Sequence, residues 1–247
     1  MLAGASAGLL SPLAAQANAG LRWEKRSGKA FQLAIGANGQ VWALGADPSP
    51  GGFQIFKREN NNWVRVPGGL VTLAVDAQGQ PWGTNDNKAI FRMQGGKWQT
   101  VPGRAEQVAI GGQGTVYALG ARGAQDVDTD LFEWGSSSWI KIAGPKGTRI
   151  AVDENDMPWV VNGEGAIFRH NRNSSDKLPG LAQDIGIGAR GGVWVIGHDN
   201  RGAGGFGIHR WNGRGWERVD GAAASVAVGP RGLPWVVNAN SDIFERV

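Results

Sequence analysis

The feature that most constrains how this 247-residue sequence can fold is a sequence motif that it repeats. The stretch AVDENDMPWVVNGEGAIF at 151–168 returns at 74–91 as AVDAQGQPWGTNDNKAIF and at 227–244 as AVGPRGLPWVVNANSDIF. Each copy is a short apolar run, a polar turn, a second apolar run headed by Pro-Trp, and a second turn. A repeat of this length indicates a modular architecture, in which each copy is one supersecondary unit packed against its neighbours.

Alignment on the aromatic residue of the motif gives six units, numbered one to six in chain order. The inner aromatic residues of these units are Trp42, Trp82, Tyr117, Trp159, Trp194 and Trp235. Inner aromatic residues that are two units apart are separated by a nearly constant 75–77 residues. The units therefore form three pairs, each of one odd and one even unit.

A second aromatic position marks the end of most units. The marker tryptophans are Trp63, Trp98, Trp139 and Trp216, and Ser175 takes this position in unit four. Trp23 lies eleven residues before an apolar run, as Trp63, Trp98 and Trp216 do, but no unit precedes it. The last unit, which ends at Val247, has no such tryptophan after it. Trp23 is therefore expected to begin the closing strand of unit six.

Each unit contains four apolar runs of strand length, and no helical period persists. The first turn has Asp156 at its fourth position in unit four and a glycine there in the other units, and both residue types tolerate positive φ. The inner strands are apolar at nearly every residue, as expected for strands covered on both faces. The sequence predicts an all-β, six-bladed β-propeller with four-stranded blades over residues 20–247. Its ring is closed by the N-terminal strand, which joins the C-terminal blade.

Composition limits the classes of function. The net charge is +4 and the basic residues are dispersed, which is a poor footprint for nucleic-acid binding. The sequence has no cysteine, which excludes disulfides and thiolate metal sites. We therefore predict no nucleic-acid partner.

The first nineteen residues, MLAGASAGLLSPLAAQANA, are small and apolar and end in Ala-Asn-Ala. This pattern is typical of the apolar region and cleavage site of an export signal, although the usual basic start is missing. Pro12 and the many glycine and alanine residues make it a poor membrane span, so no transmembrane segment is predicted. We predict a signal peptide at 1–19, with a disordered tail as the alternative, and a secreted or periplasmic location.

Several spaced features of the repeat match those of a known family. With WVRVPGGLVTLAVDAQGQPWGTNDNKAIF at 63–91 and WQTVPGRAEQVAIGGQGTVYALG at 98–120, the chain resembles the tectonin repeat over residues 21–247. Propellers of the tectonin and tachylectin type include lectins that bind bacterial lipopolysaccharide and other surface glycans, some with a preference for methylated sugars. The resemblance implies a carbohydrate-binding protein without enzymatic activity. Tyr117, Ser175 and His209 depart from the pattern, which favours three binding sites or fewer.

Two tryptophans fall outside the repeat positions. Trp134 and Trp211 occupy one equivalent position, where the other units have Arg58, Met93 and His170. A tryptophan face can stack on the apolar side of a pyranose ring, so both are candidate ligand-binding residues. Packing across the third hairpin of the unit is the alternative interpretation.

An asparagine follows the second strand in every even unit, namely Asn85, Asn162 and Asn238. An amide offers both a donor and an acceptor to sugar hydroxyls, so the three are candidate ligand-binding residues. Asparagine is also a common turn residue that bonds its own backbone, which is the alternative.

The odd units carry longer segments at this place, at 46–52, 121–130 and 198–207. Long loops on a rigid scaffold commonly bind ligands, and slack glycine-rich connections are the alternative. His198, Asn200 and Arg201 in the third segment are the candidate binding residues.

The second segment contains the run Asp126, Asp128 and Asp130, which could present carboxylate oxygens to Ca²⁺. The glycine and glutamate of an EF-hand loop are replaced by Leu131 and Ser137. A solvated acidic loop is therefore favoured, with calcium as the alternative, and no cofactor is predicted.

Catalytic motifs are lacking: there is no nucleophile elbow, no metal-spaced histidine pair and no phosphate-binding loop. AVGPRGLPW at 227–235 is similar to repeats of streptogramin-lyase propellers, which use histidine and glutamate with a divalent metal. The companions that His198 would need for such chemistry cannot be assigned. We predict a monomeric, non-enzymatic binder of glycans or lipopolysaccharide. The alternatives are a protein–protein interaction scaffold in the cell envelope and a lyase-like enzyme.

Overall fold

The protein is all-β in its computed structural model, which describes residues 20–171 and 174–247. Within these residues the strands form three seven-stranded antiparallel sheets, and the only helical segment is a 3₁₀ turn at Gly202–Gly204. No helix in the described ranges is long and apolar enough to cross a membrane. The signal peptide predicted at 1–19 lies outside the described residues.

The strands are numbered in chain order. Those of the first half are β1 (Trp23–Ile35), β2 (Val41–Ser49), β3 (Gly52–Glu59), β4 (Asn62–Leu70), β5 (Thr72–Val75), β6 (Pro81–Thr84), β7 (Ala89–Gln94), β8 (Lys97–Ile110), β9 (Val116–Gly120), β10 (Thr129–Trp134) and β11 (Trp139–Gly147). Those of the second half are β12 (Arg149–Val152), β13 (Pro158–Val161), β14 (Ala166–Asn171), β15 (Ser174–Ile187), β16 (Val193–Asn200), β17 (Phe206–Trp211), β18 (Trp216–Ala223), β19 (Ser225–Val228), β20 (Pro234–Val237) and β21 (Asp242–Arg246). The sheet orders are β19-β20-β21-β1-β2-β3-β4, β11-β10-β9-β8-β7-β6-β5 and β12-β13-β14-β15-β16-β17-β18.

The middle strand of each sheet is its longest and joins two groups of strands. The first part of β1 pairs with β21, from Trp23 opposite Arg246, and its second part pairs with β2, ending at Ile35 opposite Val41. The long strands β8 and β15 divide their partners in the same way. Among the described residues, the first strand is thus hydrogen-bonded to the last.

The innermost strands contact one another in the cyclic order β1, β5, β8, β12, β15, β19 and back to β1. Six clusters of buried apolar residues lie between the units, and each cluster takes its residues from two consecutive units. All six inner aromatic residues are buried, with at most 8% of their surface exposed. The prediction that the inner strands are covered on both faces is confirmed.

One hydrogen bond recurs between consecutive units, and we name it the tryptophan latch. In it a marker tryptophan donates its indole N–H to a backbone carbonyl of the preceding unit at 2.7–2.9 Å. The donor–acceptor pairs are Trp23–Asp220, Trp63–Ser27, Trp98–Pro67, Trp139–Pro102 and Trp216–Pro179. The residue after each acceptor is a glycine with a φ of +82° to +119°, at a bulge in the fourth strand. A Cβ at these glycines would lie 2.9–3.3 Å from the indole, so the bulge gives the tryptophan room to bind.

The latch is missing between units three and four, because Ser175 replaces the marker tryptophan. His170, which is buried, occupies part of this space, and its Nδ1 lies 3.1 Å from Ser175 Oγ. A Cβ on Gly144, which is the equivalent of the bulge glycines, would lie 3.1 Å from the same ring nitrogen. A smaller side chain thus takes the place of an indole at this one interface.

A second set of hydrogen bonds links each odd unit to the even unit that follows it. The odd-unit inner aromatics donate to the carbonyl of the fourth turn residue in the next unit, in the pairs Trp42–Gly79, Tyr117–Asp156 and Trp194–Gly232. One side chain of each odd-unit inner strand accepts the N–H of the next inner strand, in the pairs Gln32–Leu73, Gln107–Ile150 and Asp184–Val226. The pairing of units seen in the sequence therefore has a physical counterpart in the structure.

The turn prediction is confirmed, since Asp156 has a φ of +58° and the five glycines at this position also have positive φ. All three segments predicted as loops are shorter than expected, and 129–130 of the second segment belong to β10. Residues 46–49 belong to β2 and pair with β3 up to Ser49 opposite Gly52, and 198–200 belong to β16. The apolar alternation needed to recognise the extensions of β2 and β16 is absent, because 46–49 reads ADPS and 198–200 reads HDN.

The latch can be tested by placing a Cβ at its bulge. Gly103 and Gly114 have nearly equal φ values of +98° and +102°, but only Gly103 faces a marker tryptophan, since a Cβ added there would lie 2.9 Å from Trp139 Cδ1. Gly114→Ala should lower the unfolding free energy by about 1–2 kcal/mol through backbone strain alone. Gly103→Ala should cost a further ~1–3 kcal/mol, because the indole must shift. Urea unfolding of the two variants compares them directly, and equal losses would contradict a packed latch.

Candidate functional site

An open groove between units lies where the latch is missing. This three–four groove has a volume of about 530 Å³. Its lining comes from Gln113, Thr115, Tyr117, Glu133 and Ile142 of unit three and from Asn155, Asp156, Met157, Pro158 and His170 of unit four. It therefore combines an apolar floor with hydroxyl, amide and carboxylate groups.

Some of these polar groups are already occupied by the fold. The Asp156 carboxylate accepts the backbone N–H groups of Gln113 and Thr115, at 3.0 and 3.1 Å, and the Thr115 hydroxyl. Burial lowers the pKa of His170 below its usual value, so its ring is neutral near pH 7. Among the described residues, the side chains of Glu133 and Asn155 have no hydrogen-bond partner. These two remain available to a ligand.

A second open groove, of about 440 Å³, lies between units six and one. Its lining residues are Asn38, Gly39, Gln40, Val41, Arg58, Asn60, Asn61, Trp235 and Glu245. The guanidinium of Arg58 lies 5.4 Å from the Trp63 ring and 5.0 Å from the Trp235 ring, and it donates to Asn61 Oδ1 at 3.1 Å. This six–one groove is the counterpart of the three–four groove. Trp235 corresponds to Tyr117 as the inner aromatic residue, and Arg58 corresponds to His170 on the third strand.

Trp134 and Trp211 occupy the third-strand position that Arg58 and His170 hold in the open grooves. Trp134 packs on Trp139 with ring centroids 4.9 Å apart, and Trp211 packs on Trp216 at 5.0 Å and on Trp159 at 6.3 Å. Both are half-buried. Packing across the third hairpin is thus confirmed, and the ligand-binding role of Trp134 and Trp211 stays a prediction.

The even-unit asparagines cap their own turns. The side-chain oxygens of Asn85, Asn162 and Asn238 each accept a backbone N–H four residues later, at 2.8–2.9 Å. The turn role is confirmed, because the acceptor oxygen is used by the backbone. A contact of these amides with a ligand stays a prediction.

The third long segment brings three of the predicted site residues to different partners. His198 Nε2 lies 3.2 Å from the carbonyl oxygen of Ala182, and Asn200 accepts the N–H of Gly202. Arg201 pairs with Asp199 at 2.7 Å. Desolvation raises the pKa of Asp199, but hydrogen bonds from His209 and Arg201 outweigh it and lower that pKa to about 2. His198, Asn200 and Arg201 thus each have a different partner within the fold, and their contact with a ligand stays a prediction.

The acidic run of unit three is divided among separate contacts. Asp126 accepts the N–H of Gly123, Asp128 accepts that of Gly163, and Asp130 pairs with Lys141 and Lys146. Over residues 20–171 and 174–247, no cluster of three or more histidine, aspartate or glutamate side chains could hold a metal ion. The calcium alternative gains no support from this arrangement.

A further cavity, of about 480 Å³, lies where the six innermost strands begin, and we name it the central cavity. Its charged lining residues are Lys88, Glu106, Arg122, Arg149 and Asp184. Burial raises the pKa of Asp184 to about 6, against the opposing effects of Arg149 and of the N–H groups of Val226 and Ile185. Asp184 thus occupies the inner-strand position that the neutral amides Gln32 and Gln107 hold in the other odd units. Its burial lowers the stability of the folded chain only when its carboxylate is ionised.

Sequence reasoning missed Glu133, Asn155 and the central cavity. The sequence contained one clue to the three–four groove. Tyr117 and Ser175, which both differ from the repeat, belong to the same interface between units. Nothing in the spacing of the repeat shows that losing a latch tryptophan leaves a groove, since the space depends on side chains from two units.

A family model described as the tectonin domain matches residues 29–201, which is more than half of the chain. No curated protein sequence matches the chain significantly.

Solved structures share the fold at low identity. A gluconolactonase from Xanthomonas campestris is 13% identical over 92% of this chain and 89% of its own, with a TM-score of 0.61. A streptogramin B lyase is 14% identical over 92% and 97%, with a TM-score of 0.57. The WD40 β-propeller domain of Doa1 is 12% identical over 91% and 94%, with a TM-score of 0.55. At these identities the likeness shows the fold alone.

The raised pKa of Asp184 predicts a pH-dependent stability. The pKa of Asp184 is about 6 in the folded chain and ordinarily 3.8. Its contribution to the free energy of unfolding is therefore fully present below pH 3.8 and is lost as the pH rises through 6. Asp184→Asn should therefore stabilise the protein progressively between pH 4.5 and pH 8, with a pH-dependent gain of up to about 3 kcal/mol.

Denaturant unfolding at several pH values measures this gain. Asp199→Asn is the matched control of opposite sign, because the pKa of Asp199 is lowered to about 2. Its contribution is present above pH 3.8 and is lost as the pH falls through 2, so this variant should be less stable at neutral pH. A gain for Asp184→Asn that does not change between pH 4.5 and 8 would contradict the assignment.

Proposed function

This chain belongs to the tectonin domain family, and we propose that it is a lectin-like protein that binds surface glycans without catalysing a reaction. Within this proposal the chain is a six-bladed β-propeller, in which each seven-stranded sheet contains two four-stranded blades that share its long middle strand. The cyclic contacts of the innermost strands and the pairing of β1 with β21 support this architecture. Fold likeness to a WD40 β-propeller domain also supports it.

The observation that carries the proposal is the pair of open grooves. Both lie at an interface where the third-strand residue is not tryptophan, whereas Trp134 and Trp211 pack into the equivalent positions of their own units. Their volumes of about 530 and 440 Å³ lie within the range of small-ligand sites. Two sites agree with the expectation of three or fewer.

The chemistry of the grooves suits sugar hydroxyls. In the three–four groove, Glu133 supplies acceptors and Asn155 supplies both a donor and an acceptor, above the apolar floor of Tyr117 and Met157. In the six–one groove, the amides of Asn38 and Asn60 line the opening beside the Trp235 ring. Each site alone is open and shallow, so binding to a surface that repeats the same glycan would be strengthened by multivalency.

A non-catalytic role is part of the proposal. The enzymes among the fold neighbours are 13–14% identical, and nothing about their reactions is transferred at that level. The lyase alternative requires His198 beside a carboxylate and a metal, but its imidazole is hydrogen-bonded to the Ala182 carbonyl. We also propose a secreted or periplasmic monomer, in keeping with a partner on cell surfaces.

The first test is a glycan array with the full chain that includes lipopolysaccharide fragments and O-methylated sugars, followed by calorimetry on the best glycan. Glu133→Gln should weaken binding to the three–four groove at least about tenfold, because it removes a charged acceptor. Arg58→Trp should fill the six–one groove as Trp211 fills its own interface, and so remove that site. Glu164→Gln, on an exposed turn away from both grooves, should bind normally.

Three results would contradict the proposal in different ways. An empty array would overturn the lectin function itself. Selective binding that neither groove variant changes would move the sites elsewhere on the protein. Binding lost in Trp134→Ala or Trp211→Ala, at unchanged stability, would place those sites at the predicted tryptophans instead.

A further inference from the structure

The central cavity is separate from both grooves and narrows away from its opening. It lies at the start of the innermost strands, whereas the grooves lie beside the first turns, at the far ends of the same strands. At that far end the turns of units three and five meet, since a Cβ on Gly112 would overlap the Ala189 carbonyl oxygen. The turns of units five and six are as close, with 2.7 Å from a Cβ on Gly192 to Gly232 Cα. The cavity therefore opens mainly on the side of the long loops.

The charges of the cavity do not balance. Lys88 and Glu106 form a close ion pair at 2.8 Å, and Glu106 also accepts the backbone N–H of Arg122. The guanidinium of Arg122 has no hydrogen bond or ion pair within the described ranges. Arg149 lies 3.7 Å from Asp184, which is longer than a hydrogen bond. With Asp184 ionised, the cavity carries one positive charge in excess.

The neutral polar groups are also partly unused. Gln32 and Gln107 accept backbone N–H groups of the neighbouring strands, so they hold the wall together. The side chains of Gln183, Ser225 and Ser241, which also line the cavity, have no hydrogen-bond partner in the part of the chain that the structure describes. They offer an amide and two hydroxyls beside two guanidinium groups. Arg149 donates to the Thr148 carbonyl at 2.9 Å, and Arg122 acts electrostatically on Glu106.

From these features we propose that the central cavity is a second ligand site, which takes a small anionic polyol such as a sugar acid or a sugar phosphate. The anion would meet the guanidinium groups of Arg122 and Arg149, and the ligand hydroxyls would meet Gln183 and Ser225. The volume of about 480 Å³ lies within the range of small-molecule sites. This site is independent of the proposed glycan grooves.

Asp184 gives the site its own pH dependence. Its carboxylate competes with a bound anion for Arg149. The other charged groups that line the cavity are Lys88, Glu106 and Arg122. Of the inner strands that contact β15, β12 contributes Arg149 and β19 contributes the uncharged Ser225. Protonation of Asp184, which has a pKa of about 6, removes the competitor, so the anion should bind more tightly at pH 5 than at pH 7.5.

Isothermal titration calorimetry of the full chain with gluconate, glucose 6-phosphate and glucose tests the site. Both anions should bind at least about tenfold more tightly than glucose, because only they can pair with the guanidinium groups. Gluconate, which keeps its charge over this pH range, should bind several-fold more tightly at pH 5 than at pH 7.5. A difference between the two anions would show whether a carboxylate or a phosphate is preferred.

Four variants make the test specific. Arg149→Gln and Arg122→Gln should each weaken gluconate binding about tenfold. Within the described residues the Arg122 side chain forms no hydrogen bond and acts on Glu106 only electrostatically, so its replacement should disturb folding little. Asp184→Asn should raise the affinity at pH 7.5 and remove the pH dependence. Arg190→Gln, on the exposed turn at the other end of the strands, is the matched control and should change nothing.

The proposal is overturned if no heat is detected with either anion, if glucose binds as tightly as gluconate, or if both arginine variants bind normally. These results leave the glycan proposal untouched, because Glu133→Gln and Arg58→Trp change only the grooves. Conversely, if the glycan array shows no binding, Arg122→Gln is still expected to weaken gluconate binding, so the two proposals can fail separately.

Discussion

The tryptophan latch is the interaction on which the arrangement of units depends. A four-stranded unit cannot bury its own faces, so its stability comes from the unit beside it. The indole of the marker tryptophan fills the space above a bulge in the preceding unit and donates one hydrogen bond to the carbonyl of that bulge. Glycine at the bulge permits both the positive φ and the close approach of the ring. Packing, backbone conformation and a satisfied indole N–H are thus combined at one point, five times along the chain.

The second set of links acts only within odd–even pairs, and it explains why the sequence repeats in pairs. An odd-unit aromatic and an odd-unit polar side chain each reach the next unit. Tyr117 keeps its link through its hydroxyl, although it is not a tryptophan. Asp184 keeps its link through a carboxylate, whose burial raises its pKa. The fold therefore tolerates substitutions that preserve the hydrogen bond, even where they bring a charge into the cavity.

Candidate function is found where this regularity fails. The three–four groove lies at the interface that lacks the latch, and the six–one groove lies beside Arg58, at the position that Trp134 and Trp211 hold in their own units. In the central cavity, Arg149 and Asp184 stand at inner-strand positions where the other units carry neutral residues, and Arg122 adds a positive charge. In each case the packed units supply a rigid wall, and a departure from the repeat supplies the space or the unpaired polar group. Such departures are the expected places for a ligand on a repetitive scaffold.

The sequence by itself determined that the fold is all-β, and it located most of the strands and the conformation of the first turns. It did so because spacing, glycine at positive φ and the alternation of two aromatic positions are local properties. It also predicted that β1 joins the last strand, since Trp23 has no unit before it. The sequence left open whether Trp134, Trp211 and the even-unit asparagines pack or bind. Only the tertiary structure showed that these tryptophans pack on their neighbours and that these asparagines cap turns, and that Glu133 and Asn155 line one groove. The reason is physical: a groove is a volume left between two units, and its size depends on contacts between residues about forty positions apart that no single repeat contains.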